Sequence, residues 1–156
     1  MPITIKDPDD LNTSNPAIAN QHLNYVSNIF KNAEDVLFSS NFIDSNSGYS
    51  KFIDTSSVYN WYLTQEVFKN IDLSRYSVFF YLDTKNNNKI TFGPLWDFDM
   101  SSGVIEDPIG IRGTENLWIS RLYDDPSFIN AIKSKWQNKR SNLLQFLTSK
   151  INENAR

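Results

Sequence analysis

Residues 69–103 read KNIDLSRYSVFFYLDTKNNNKITFGPLWDFDMSSG, and the fold turns on how this stretch is read. It opens with a lone acid, Asp72, just past the end of a helical pattern. Residues 77–82 (SVFFYL) form a short aromatic and β-branched run, residues 83–88 are polar, and residues 89–92 (KITF) alternate polar with apolar. Two such runs around a polar turn predict a β-hairpin. Gly93-Pro94 breaks it, and a second acidic pair, Asp97 and Asp99, follows. A hairpin returns the chain to where it left, so Asp72 and the later pair are expected to converge. Converging carboxylates repel each other and are held together most readily by a divalent cation, unless one stays protonated. Oxygen ligands without His or Cys favour magnesium or manganese over zinc. In extended backbone Asp97 and Asp99 point the same way, with Phe98 turned to the core between them.

Outward from this stretch the pattern is helical. Asn15-Pro16 is a cap-then-proline start. Leu23, Val26, Phe30, Ala33 and Leu37 follow at spacings of three and four, the stripe of an amphipathic helix. Residues 39–50 are rich in Ser and Asn, hold Gly48, and read as a loop. Asp54 can cap a second helix with Val58, Trp61, Tyr62 and Phe68 on its apolar side, ending near Asn70. Downstream, residues 101–115 hold three glycines and Pro108 and predict an irregular segment. Residues 116–123 suit a short helix. Asp125-Pro126 then opens a long one, with Phe128, Ile132, Trp136, Leu143, Leu147 and Ile151 along one side. Phe79, Tyr81, Phe92 and Trp96 are assigned to the core. The order predicts one α+β domain over residues 1–156, mainly helical with a small hairpin sheet.

Composition narrows the function classes. The chain has 156 residues, 40% apolar and 14% aromatic, enough for one cored domain. Fifteen basic against 18 acidic side chains, net −3, argue against global disorder and against a basic nucleic-acid binder. Cysteine is absent, which excludes disulfides, thiolate metal sites and a cysteine nucleophile. The single histidine, His22, excludes a multi-histidine metal site and is expected on a solvated helix face. No apolar run approaches the roughly 20 residues of a membrane helix, and no leader pattern opens the sequence. Residues 133–156 carry six bases against Glu153 alone and read as a solvated basic helix.

On these residues the chain resembles the CotH kinase family, the family of spore coat protein H. The matching stretches are GYSKFID (48–54), FKNID (68–72), SVFFYLD (77–83), GPLWDFD (93–99) and SRLYDDPSFINAIKSKW (120–136). The most specific piece is GPLWDFD after a hairpin preceded by N-x-D. The family is similar to atypical protein kinases, so the resemblance implies the C-terminal lobe of a kinase-like fold. In protein kinases a catalytic-loop Asp accepts the substrate hydroxyl proton and an Asn five residues later holds one magnesium. The Asp of D-F-G, two strands on, holds magnesium against the phosphates. By this resemblance Asp72 would be the catalytic base or hydroxyl-orienting residue. Asp97 would be the main metal ligand, with Phe98 packed beneath it, and Asp99, in place of glycine, a second ligand. Ser77 stands where the kinases have Asn and would be a further, weaker metal ligand. The implied cofactors are Mg2+ or Mn2+ and ATP. The implied partner is a protein phosphorylated on Ser or Thr, in a bacterial spore-coat, spore-surface or extracellular setting.

The kinase lobe that grips the nucleotide carries a Gly-rich loop, a phosphate-contacting Lys and its partner Glu. Here five glycines never form G-x-G-x-x-G, and no V-A-I-K-like strand precedes the hairpin. The expectation is a truncated chain: the metal-binding, catalytic-loop lobe without the N-terminal one, with little or no kinase activity alone. The second reading is a non-catalytic surface, spore-coat or scaffold module that keeps the fold. The missing lobe and Ser77 in place of Asn favour it.

Overall fold

A computed structural model describes residues 4–6, 16–74, 77–83, 85, 88–102 and 116–155. Helix α1 (Pro16–Leu37) leads through a 3-10 turn (Tyr49–Lys51) to α2 (Thr55–Phe68) and a second 3-10 turn (Ile71–Ser74). Strands β1 (Phe80–Asp83) and β2 (Lys89–Phe92) follow, then α3 (Leu117–Leu122) and α4 (Pro126–Asn154). This is the expected mainly helical α+β order with a two-stranded sheet. The N-cap expected at Asn15 and the irregular segment expected at 103–115 lie outside the described residues. No described helix is long and apolar enough to cross a membrane.

Capping chemistry starts the other helices where the sequence indicates. Asp54 accepts from Ser56 N at 3.1 Å, Asn116 from Trp118 N and Ile119 N at 3.0 and 3.3 Å, and Asp125 from Ser127 N at 2.8 Å. The second oxygen of Asp125 accepts the Tyr49 hydroxyl at 2.7 Å, so one carboxylate caps α4 and anchors the first 3-10 turn. Trp118 Nε1 donates to Glu34 at 2.9 Å and ties α3 to α1. Arg121 closes the end of α1, donating to the carbonyls of Leu37 and Ser39 at 3.0 and 2.9 Å over the Phe42 ring.

The strands pair antiparallel, Phe80 with Phe92 and Leu82 with Ile90. Pairing begins at Phe80 rather than at 77, where Ser77 has φ 57°, the left-handed region. Phe30, Phe80, Phe92 and Trp118 form one ring cluster, with Phe80 and Phe92 centroids 4.7 Å apart. The core assignment holds for Phe92 but not for Tyr81 or Trp96, which are 51% and 60% exposed. Tyr81 falls on the outer face by the period of two, and Trp96 follows the Gly93-Pro94 break, beyond the sheet. Phe79 is half-buried and leans on Trp96, centroids 6.1 Å apart.

The helical stripes are buried only where a neighbour exists. In α1, Phe30, Ala33 and Leu37 are buried while Leu23 is exposed. In α4 only Phe128 is buried; Ile132 packs partly, and Leu147 and Ile151 face solvent. Phe68 of α2 is also exposed, at 40%. His22 is exposed as expected.

Residues 39–50 form a compact loop, not a loose one. Gly48 N donates to Asp44 O and Tyr49 N to Phe42 O, each at 2.8 Å. A Cβ on Gly48 would lie 2.3 Å from Phe42 O and 2.4 Å from Asp44 O, both backbone atoms that cannot swing aside. Gly48→Ala is expected to cost about 2–4 kcal/mol, as overpacking against fixed atoms does. Urea unfolding of the two proteins measures it, and an unchanged midpoint would refute the clash.

Four phenols give the fold an alkaline limit. Burial, and then hydrogen bonds to Asp125 and Tyr123 respectively, push the pKa of Tyr49 and Tyr62 up; burial does the same at Tyr59 and Tyr123. The unfolded chain ionises its phenols near pH 10 while the folded one retains the protons. Their contribution is therefore complete below about pH 10 and is lost as pH rises above it. Unfolding free energy should stay level from pH 8 to 9.5 and fall by pH 11. Tyr62→Phe should fall less steeply, and equal slopes would remove the buried phenols as the cause.

Candidate functional site

The site is built at the end of α2. Lys69 takes the left-handed conformation, φ 52°, and its N–H donates to Glu66 O at 3.3 Å. Asn70 N donates to Gln65 O at 3.1 Å, completing a Schellman closure, a turn that usually recruits glycine at the left-handed position. The closure throws the chain off the helix axis and into the Ile71–Ser74 turn, which carries Asp72.

The segment after the hairpin returns to the same place. Ser102 N donates to Phe68 O at 2.7 Å and Ile71 N to Met100 O at 3.4 Å. The Phe68 and Phe98 rings meet edge to face at 5.7 Å, so exposed Phe68 is the seat of Phe98. Ser101 Oγ donates to Phe98 O at 2.6 Å and closes the turn. Backbone 97–99 is not extended as the sequence suggested, because Asp97 has φ 61°. The left-handed residue still leaves Asp97 and Asp99 on one side, with Phe98 half-buried.

Asp72, Asp97 and Asp99 each offer a carboxylate oxygen within 4.8 Å of the other two. Asp72 is half-buried; Asp97 and Asp99 are exposed. Ser77 Oγ donates to Asp97 Oδ2 at 2.7 Å. All four residues singled out in the sequence therefore stand together. The hydroxyl proton of Ser77 is spent on Asp97, so its lone pairs are what it can offer an ion. Around an ion 2.1 Å from each oxygen, neighbouring oxygens lie about 3 Å apart and opposite ones about 4.2 Å. The 4.8 Å limit on the separations is close to the about 4.2 Å between opposite ligands of such an ion. The donor set is hard oxygen with three formal negative charges, suited to magnesium or manganese.

The sequence reading passed over one residue. Asn70 is 1% exposed, and its amide holds both halves of the site. Nδ2 donates to Asp97 O and Oδ1 accepts from Asp72 N, each at 3.1 Å. Its signal was the N of N-x-D, an asparagine where a helix has just ended.

The profile of the family described as CotH kinase protein matches residues 5–156. The chain belongs to the CotH kinase family. No curated protein and no solved structure matches it. Membership makes this a kinase-like protein at the family level. A CotH kinase draws in general on ATP, a divalent metal and a protein substrate, and the acidic cluster has the donors for the metal.

Proposed function

We propose that the chain is the metal-binding and catalytic-loop part of a CotH-type kinase that transfers the γ-phosphoryl group of ATP to a Ser or Thr hydroxyl of a protein. The observation that carries this reading is the meeting of three carboxylates from two separate segments within 4.8 Å. Asp97 and Asp99 hold the divalent cation, which when bound neutralises phosphate charge. Asp72, half-buried on the other segment, orients the acceptor hydroxyl and takes its proton as the new P–O bond forms and the bond to ADP breaks. Ser77 fixes the Asp97 carboxylate through its hydrogen bond and supplies a weak further ligand. Asn70 positions both segments. The sequence contains no Gly-rich loop or Lys-bearing strand to grip the nucleotide, so this chain alone should turn over ATP very slowly.

Trp96 supplies the readout, because it is 60% exposed and is the residue before Asp97. Titrating Mn2+ into the protein should quench its fluorescence saturably, and Asp97→Ala should abolish the effect. Absence of saturable quenching in the wild type, with no manganese bound by equilibrium dialysis, would overturn the metal reading and leave the non-catalytic scaffold. Robust ATP turnover by this chain would overturn its assignment as a lobe lacking the grip.

A further inference from the structure

Over its first half α4 lies beside α2. The Phe128 ring meets those of Tyr59 and Tyr62, centroids 5.4 and 6.3 Å apart, and Lys135 Nζ donates to Asn60 Oδ1 at 3.1 Å. Farther along, the two helices enclose an open groove of about 360 Å³, with Leu63, Val67 and Phe68 on one wall and Trp136, Lys139 and Leu143 on the other. Leu63, Val67 and Leu143 are half-buried, while Phe68 and Trp136 are exposed. α2 ends at Phe68, but the apolar side of α4 runs on through Leu147 and Ile151, both exposed. From Trp136 to Ile151 this stripe is about 22 Å long at about 1.5 Å per residue.

The charges of α4 share the stripe. At about 100° per residue, Lys133, Lys135, Lys139, Arg140 and Lys150 all fall in the same half of the helix as Trp136, Leu143, Leu147 and Ile151. The opposite half has neither Lys nor Arg and presents Gln137, Asn138, Ser141, Gln145, Thr148 and Asn152. Bases that served only to solvate the helix would be spread over the side away from the stripe. No acid lines the groove. Lys150 is paired with Glu153, but Lys133, Lys139 and Arg140 have no ion-pair partner among the described residues, and the oxygen that holds Lys135 is neutral.

We propose that this face of α4 and α2 seats an acidic amphipathic helix of a partner protein, its apolar side in the groove and its carboxylates over Lys133, Lys139 and Arg140. A second copy of α4 would bring the same bases together, which like charges oppose. The aliphatic lining is recessed behind two exposed rings, a shape for the ridge of a third helix and not for the plane of a bilayer. The inference stands whether or not the chain transfers phosphate.

The test uses the whole chain, with Phe68 left untouched because it also seats Phe98. A fluorescent helical peptide of about three heptads carries leucine at a and d and glutamate at e and g, and a second peptide has lysine for each glutamate. Anisotropy should show saturable binding of the acidic peptide, weakening as salt rises, and none of the basic one. Lys139→Glu combined with Arg140→Glu should weaken the acidic peptide at least about 100-fold and admit the basic one. Leu147→Asp should weaken it about tenfold or more. All three side chains are exposed, so the variants should fold, and near-ultraviolet circular dichroism checks that they do. Equal binding of the two peptides, no binding of the acidic one, or a charge reversal without effect would overturn the proposal. So would binding of the chain to phosphatidylglycerol vesicles in place of the peptide, which would make a bilayer the occupant. Self-association that Leu147→Asp abolishes would overturn it too, in favour of a second copy.

Discussion

Asp97→Asn is expected to lose the divalent cation and to be more stable than the wild type once the cation is removed. Both effects come from the same charges. Three carboxylates within 4.8 Å repel by about 0.9 kcal/mol per pair at the dielectric of water, less in salt. Removing the charge of Asp97 relieves two of those pairs, and asparagine tolerates the left-handed φ of 61° better than most residues. In EDTA the variant should melt a few degrees above the wild type. With millimolar Mg2+ or Mn2+ the order should reverse, because the wild type is stabilised in proportion to RT ln(1 + [L]/Kd) and the variant is not. Affinity should fall at least about 100-fold, since a charged ligand is replaced by a neutral one. Thermal melts in both buffers measure the crossing. Parallel responses of the two proteins to the cation would show that Asp97 does not hold it.

Asn70→Ala carries the largest expected cost to stability at the site. The substitution leaves Asp72 N–H and Asp97 C=O without their partner beside a residue that is 1% exposed. An orphaned buried group costs about 1–3 kcal/mol, and because Asp72 is half-buried and Asp97 exposed, a total of about 1–3 kcal/mol is expected for the two. A purely structural role would stop there. A positioning role predicts in addition a loss of about 10- to 100-fold in manganese affinity at temperatures where the variant remains folded, as for residues that orient metal ligands. Asn70→Asp separates the contributions, since it can still accept from Asp72 N but cannot donate to Asp97 O. Unchanged manganese affinity in a folded Asn70→Ala protein would remove Asn70 from the site.

The helices and hairpin were legible because their signals are local. Asp54, Asn116 and Asp125 cap the helices they precede, and the two runs around residues 83–88 pair in the register that places Phe80 against Phe92. The convergence of Asp72 with Asp97 and Asp99 was legible for the same reason, since a hairpin is a short return path. Burial was less so. Leu147 and Ile151 continue a perfectly regular stripe, yet periodicity states only that a helix has an apolar side, not that anything lies against it. Trp96 reads as core by composition, while the break before it carries it out to solvent. The geometry at Asp97 was hidden because nothing marks a left-handed aspartate except the neighbours that impose it. Asn70 was hidden because its work is done by a side-chain amide on two backbones distant in sequence.

From Leu144 onward every described residue of α4 is exposed, about three turns of helix with no tertiary support among the described residues. Isolated helices this short are marginal in water, and the Lys150–Glu153 pair adds only a few tenths of a kcal/mol. The far end of α4 is therefore a fraying tip whose melting is decoupled from that of the body. On warming, far-ultraviolet ellipticity should begin to drift while the near-ultraviolet bands of the packed aromatics hold, so a single two-state midpoint would misdescribe the molecule.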